Sequence, residues 1–296
     1  MCDKKYCDIC PRKCKAERNE SDGSGFCGEG MLPKVARAGL HMWEEPCISG
    51  ERGSGAVFFS GCNLGCVYCQ NSDISSGHFG KTVSVERLRK IFFELIEKGA
   101  HNINLVTPTH FADTITEALD PVLPVPVVWN CGGYESIETL KKLDGKIQIY
   151  LPDMKYSLSE ASKKYSFAPD YPDVSKRAVL EMYRQTGDVE FDSDGMLKKG
   201  VIIRHLVLPG NLENTFGVID FVKENFKKGS VLFSLMSQYF PAGRASEYPE
   251  LSRRLTEEEY SKAEEYLFDA GIDDGFVQEL SSAAEEYVPP FDLTGV

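Results

Sequence analysis

The 296-residue sequence has no apolar run approaching membrane-spanning length, which excludes a spanning helix. The stretch Met1-Cys-Asp-Lys-Lys lacks the apolar core of a secretory signal, so a cytoplasmic protein is expected. Basic residues are in short supply: 33 Lys and Arg against 45 Asp and Glu leave a net charge of −12. That balance argues against a general nucleic-acid binder or an anionic-membrane binder, whose electrostatics would need the opposite sign. What is present is ordinary for a globular enzyme, with 42% hydrophobic and 26% charged residues. The length suits one large domain, or a barrel-like domain with a small appendage. Ten cysteines, clustered as C-x-x-C with no secretory signal, point to metal binding in a reducing compartment rather than to disulfides.

Three of these cysteines carry the chemistry. Cys62, Cys66 and Cys69 form a C-x3-C-x2-C run directly after the apolar strand Ala56-Val-Phe-Phe-Ser60. Three thiolates at this spacing can hold three corners of a cubane iron–sulfur cluster, whereas an ordinary four-iron cluster takes four. The remaining iron then has an open position, which is where a metal does chemistry. Gly61 and Gly65 let the backbone wrap such a cluster. A zinc site or three packed cysteines is the bland alternative. Zinc sites usually pair their cysteines as two short knuckles, and the triad has no nearby partner pair.

The string Phe58-Phe-Ser-Gly-Cys-Asn-Leu-Gly-Cys-Val-Tyr-Cys-Gln-Asn71 resembles the signature of the radical S-adenosylmethionine (radical SAM) superfamily. It looks like the branch of pyruvate formate-lyase activating enzyme and its uncharacterised relatives, with an aromatic residue, Tyr68, before the third cysteine and Asn71 two places after it. The resemblance implies a 4Fe-4S cluster whose open iron chelates S-adenosylmethionine, and cleavage to a 5′-deoxyadenosyl radical that removes hydrogen from substrate. It also implies a one-electron donor such as flavodoxin or ferredoxin.

From Ala56 onward, apolar strands alternate with amphipathic helices. Strands are expected at 56–61, 102–107, 127–130, 146–151, 201–208 and 230–237, with a peripheral one at 276–280. Helices are expected at 84–98, where Val85, Leu88, Ile91 and Leu95 share a face, at 113–123, over 137–143, and at 214–226. A long irregular helical region runs to Arg184. A further helix opens at the capping box Thr256-x-x-Glu259 and is stopped by Gly271. Asp194-Gly195 marks a small β insertion within 189–199. Six β/α units require a parallel sheet with helices outside. The expected fold is thus α/β, a partial (β/α)6 TIM-like barrel over 51–296. Residues 1–50, rich in cysteine, glycine and charge, form a small amino-terminal unit that needs a staple. The cysteine loop would fall at the carboxyl edge of the sheet, where such folds keep their chemistry.

At that edge the resemblance implies cofactor contacts. Asp153 and Lys155, two apart after the fourth strand, point to one face and match an Asp-x-Lys that contacts ribose hydroxyls and the methionine carboxylate. Arg204 sits in a run too apolar to carry a free charge and matches a strand-borne arginine facing the same carboxylate. His205 points to the opposite face and reads as a packed histidine. Asn130 stands where the activases usually carry Asp for the methionine amine, and Gln238 ends the sixth strand as either an adenosine contact or a simply exposed residue. The activases end their second strand in Gly-Gly-Glu; here Thr107-Pro-Thr-His110 stands instead, so Thr109 or His110 would supply the missing contact.

Cys7, Cys10, Cys14 and Cys27 offer four further thiolates, for a tetrahedral zinc or a second, ferredoxin-like cluster; reduced, unliganded cysteines are the alternative. Cys47 and Cys131 read as solitary packed residues. Three functions follow: activation of a glycyl radical enzyme as protein substrate, radical modification of a small molecule or peptide, or a zinc-stabilised scaffold without turnover. The lost Gly-Gly-Glu and the extra cysteine unit favour the second over the first.

Overall fold

A computed structural model describes residues 6–280 and 288–296; Cys2 lies outside them. In chain order the strands are β1 (Lys34–His41), β2 (Ser54–Phe59), β3 (Lys81–Thr82), β4 (Ile103–Val106), β5 (Val127–Cys131), β6 (Ile149–Pro152), β7 (Glu190–Phe191), β8 (Leu197–Leu206), β9 (Leu232–Met236) and β10 (Gly275–Val277). The helices are α1 (Pro46–Ser49), α2 (Ser72–Ser75), α3 (Val85–Glu97), α4 (Ala112–Ala118), α5 (Ile137–Leu143), α6 (Ser159–Ser166), α7 (Tyr171–Thr186), α8 (Leu212–Asn225) and α9 (Glu257–Asp269).

The apolar runs β2, β4, β5, β6, β8 and β9 lie side by side in chain order, each parallel to the next, and β10 continues the series beyond β9. Each is followed by helix, so right-handed crossovers place the helices on one side of a curved sheet. The sheet does not close on itself. It is the expected partial (β/α)6 barrel. Burial explains the sequence pattern: β2, β4, β5, β6 and β9 are buried along their whole length, as parallel strands covered on both faces should be.

The helix signals act as their chemistry predicts. Ser84 caps α3 by accepting from the Arg87 amide, and Leu88, Ile91, Phe92 and Leu95 bury its inner face. At α9, Thr256 and Glu259 form the reciprocal capping box. The Asp194-Gly195 turn joins β7 to β8 as an antiparallel pair.

The amino-terminal fifty residues include a stretch that belongs to the main sheet. β1 pairs antiparallel with β2 from Val35↔Phe59 to His41↔Ser54, and β3 pairs antiparallel with β1. Residues 34–41 therefore form an outer strand of the barrel sheet, and the separate cysteine-bearing segment ends before Lys34. Among the described residues no helix is long and apolar enough to cross a membrane.

Candidate radical-cofactor site

Gly61 follows β2 with φ +78, and the chain turns there into the cysteine loop. A Cβ at this position would stand 2.4 Å from Glu29 Cγ and 2.8 Å from the Cys27 carbonyl oxygen. Only glycine lets the amino-terminal segment come so close to the loop. Cys62, Cys66 and Cys69 all line one cavity of about 230 Å³ at the carboxyl ends of the parallel strands. Each sulfur has a donor: Leu64 N to Cys62 Sγ at 3.3 Å, Ser166 Oγ to Cys66 Sγ at 2.9 Å, and Ser75 Oγ to Cys69 Sγ at 3.3 Å. Burial raises all three thiol pKa values. As thiolates they need compensating positive charge, which a metal centre supplies. Three donor-supported thiols opening on one cavity fit a cluster ligand set.

The strand ends deliver the expected polar groups to the same cavity, which Asn130, Asp153, Lys155, Arg204, Tyr68 and Gln238 all line. Lys155 Nζ lies 2.9 Å from Asp153 Oδ2, and Arg204 Nε donates to Asp153 Oδ1 at 2.7 Å. Burial works against ionising Asp153, but Arg204 and Lys155 outweigh it and its pKa falls. Burial likewise opposes the Lys155 charge, yet Asp153 and the Cys66 sulfur carry its pKa upward. All of these charges persist at neutral pH. One hydroxyl holds this pair in place: Tyr171 accepts from the Lys155 amide at 2.9 Å and is shared between the carbonyls of Gly132 (2.8 Å) and Asp153 (2.7 Å).

Arg204 is more fully engaged than the sequence suggested. Nη2 donates to Asn130 Oδ1 at 2.8 Å, and Nη1 donates to Glu44 Oε2 at 2.8 Å. Glu44 also accepts from Asn130 Nδ2 (3.1 Å) and Asn104 Nδ2 (3.0 Å). Neighbouring Glu45 is buried, and burial raises its pKa despite the pull of Arg204. Sequence reasoning missed both glutamates because they follow β1, in a segment assigned to the appendage. The available signal was Arg204 itself, whose apolar strand demanded a counter-ion.

Thr109 and His110 do not line this cavity. Thr109 is buried beneath the site and donates to Glu135 Oε1 at 2.6 Å. His110 places Nε2 2.7 Å from the Ser60 carbonyl oxygen. The cavity is lined at this strand end by Thr107, a non-glycine residue at φ +61. Pro108 begins a tight turn of 3-10 helix that swings the following side chains under the sheet. His205 is packed as expected, between the Met154 carbonyl oxygen (2.7 Å) and Thr215 Oγ1 (3.0 Å), and burial lowers its pKa to about 4. Cys131 is buried but borders the cavity, while Cys47 packs in the core.

The amino-terminal cysteines lie within electrostatic reach of one another. Burial pushes Cys10 up to about 12, with Cys7 and Cys27 adding to the effect, and Cys27 is raised by burial and by Cys7 and Cys14. Among the described residues no three Cys, His, Asp or Glu side chains converge on a point that could hold a single metal ion.

A family model described as a 4Fe-4S single cluster domain matches residues 48–143, which include the whole cysteine loop. The chain is 33% identical over 270 residues to the uncharacterized protein MJ0674 of Methanocaldococcus jannaschii, covering 88% of this chain and 73% of that one. Among solved structures it is similar to Streptococcus suis SuiB bound to S-adenosylmethionine, at 12% identity and TM-score 0.49, over 76% of this chain and 50% of SuiB. It is also similar to a domain of pyruvate-formate lyase-activating enzyme from Bacteroides vulgatus, at 12% identity and TM-score 0.37, over 66% of this chain and 91% of that domain. The chain spans about half the length of the SuiB structures it matches. The chain belongs to the same family as the archaeal protein MJ0674.

Proposed function

We propose that the protein is a radical SAM enzyme that modifies a small molecule or peptide. The observation that carries this reading is the convergence of Cys62, Cys66 and Cys69 with Asp153, Lys155 and Arg204 on a single cavity. A cluster on the triad would supply one electron to split the sulfonium of S-adenosylmethionine into methionine and a 5′-deoxyadenosyl radical, which takes hydrogen from the substrate. The residues around it bind and orient. Lys155 and Asp153 offer a cation and an acceptor to the methionine carboxylate and the ribose hydroxyls. Arg204, fixed on three sides, holds that pair and Asn130 in register. Gln238 and Tyr68 border the space for the adenosine. Glu44 brings a carboxylate to the cavity of a chain that lacks the Gly-Gly-Glu strand end of the activases.

A flavodoxin or ferredoxin in the cytoplasm would deliver the electron. The four amino-terminal cysteines would take a second metal, either zinc or a second cluster. Activation of a glycyl radical enzyme is the second reading, supported by the resemblance of the cysteine loop to the activases.

Anaerobically purified protein should be brown and, with dithionite and S-adenosylmethionine, should release 5′-deoxyadenosine. Cys66→Ala should abolish that release. A colourless, zinc-loaded wild-type protein would overturn the proposal in favour of a scaffold. A glycyl doublet in electron paramagnetic resonance with a partner enzyme would replace the small-substrate reading by the activase one.

A further inference from the structure

One side chain of the amino-terminal segment is wedged between the cysteine loop and the helix that faces it. Arg12, between Cys10 and Cys14 in sequence, directs its guanidinium at four backbone carbonyls. Nε donates to Asn63 O at 2.8 Å, Nη2 to Leu64 O at 3.2 Å and Ser166 O at 2.9 Å, and Nη1 to Phe167 O. The first two carbonyls lie between Cys62 and Cys66. The other two end α6, where Phe167 takes a left-handed conformation at φ 53. The Phe26 ring backs the cation at 3.9 Å. A planar fork bonded to four carbonyls fixes two backbone segments against each other in a way a lysine cannot.

What those segments bring together is a sulfur and a hydroxyl. Ser166 is fully buried, and its Oγ donates to Cys66 Sγ at 2.9 Å. The same Oγ lies 2.7 Å from the Tyr156 hydroxyl, which lies 2.8 Å from that of Tyr68. Hydrogen bonds to ligand sulfurs are among the factors that set the potential of an iron–sulfur centre. They stabilise the added negative charge of the reduced state.

We propose that Arg12 and Ser166 are positioning residues for the cluster ligand Cys66. Arg12 locks the end of α6 onto the cysteine loop, and Ser166, so held, donates to the sulfur and raises the cluster's reduction potential. This rests on the reading that the triad holds a cluster. It gives the amino-terminal segment a role in tuning that centre, whatever its own cysteines bind.

The test is a redox titration of the full-length, anaerobically reconstituted protein, followed by electron paramagnetic resonance, with iron content measured alongside. Ser166→Ala should keep its iron and shift the midpoint to a more negative value; Ser166→Thr, which keeps the hydroxyl, should return it towards wild type. Arg12→Gln should shift the midpoint in the same direction. The double variant should go no further than the larger single shift, because both changes act through one bond. A Ser166→Ala protein with the wild-type midpoint would overturn the inference. If Arg12→Gln loses its iron, the Ser166 variants decide alone. A wild-type protein that takes up no cluster on the triad would sink the cluster reading itself, and this inference with it.

Discussion

Glu44 and Arg204, 160 positions apart in sequence, meet at 2.8 Å inside the barrel. β8 carries the arginine to the carboxyl edge, and the turn after β1 carries the glutamate to it from the antiparallel side. Both side chains are largely buried, 13% and 8% exposed, so the pair is shielded from solvent screening. Removing one member leaves the other charge short of a partner. Arg204 still has Asp153, which limits the damage. Glu44→Ala should lower the unfolding free energy by about 2–3 kcal/mol. Combining it with Arg204→Met should cost less than the sum of the two, as read by denaturant unfolding.

Tyr171 links the ends of β5 and β6 through a single hydroxyl bonded to Gly132, Asp153 and the Lys155 amide. Tyr171→Phe keeps the ring and deletes only those bonds. It should cost about 1–3 kcal/mol of stability. It should also weaken S-adenosylmethionine binding, measured by calorimetry on the cluster-loaded protein, because the Asp153–Lys155 pair loses its tether.

Glu135 is buried beneath the sheet, and burial raises its pKa from 4.5 to about 7, opposed in part by the bond from Thr109. The folded state therefore holds this proton where the unfolded chain has released it. Its contribution is fully present below the unfolded pKa and is lost as pH rises towards about 7. Stability should fall across that window at roughly 1.4 kcal/mol per pH unit from this group alone. Glu135→Gln should flatten that slope in unfolding measured at several pH values; an unchanged slope would show that another group sets it.

Gly61→Ala would force a side chain into a left-handed backbone at φ +78 and against Glu29 and Cys27. The backbone penalty alone is about 1–2 kcal/mol. The clash should displace the amino-terminal segment as well. Reduced melting temperature together with lower iron retention after reconstitution is the expected result.

Much of the barrel was legible because parallel strands buried on both faces read as apolar runs, whatever surrounds them. The helix at 84–98 appears as Val85–Glu97, and that at 137–143 as Ile137–Leu143. The sixth strand, expected at 230–237, is Leu232–Met236. Asp153, Lys155, Arg204, Asn130 and Gln238 could be placed at one cavity because a strand end fixes where a side chain must go. β1 and β3 escaped notice: they pair antiparallel, outside the β/α rhythm, and β3 has only two residues. Glu44 was hidden for the same reason, since its place depends on a pairing between β1 and β2 that no local pattern announces. Thr109 lies off the cavity because a turn of 3-10 helix, not an extended strand end, carries it.

Residues 288–296 return to β1, with the Leu293 amide bonded to Ala36 O, the Ala38 amide to Thr294 O, and Arg37 paired with Asp292. Val288 and Pro289 border the cavity, as do His41 at the end of β1 and Trp43 and Glu44 just past it. Early and late chain thus border one cavity at once. Trimming or tagging the late segment should alter that cavity's lining without touching Cys62, Cys66 or Cys69.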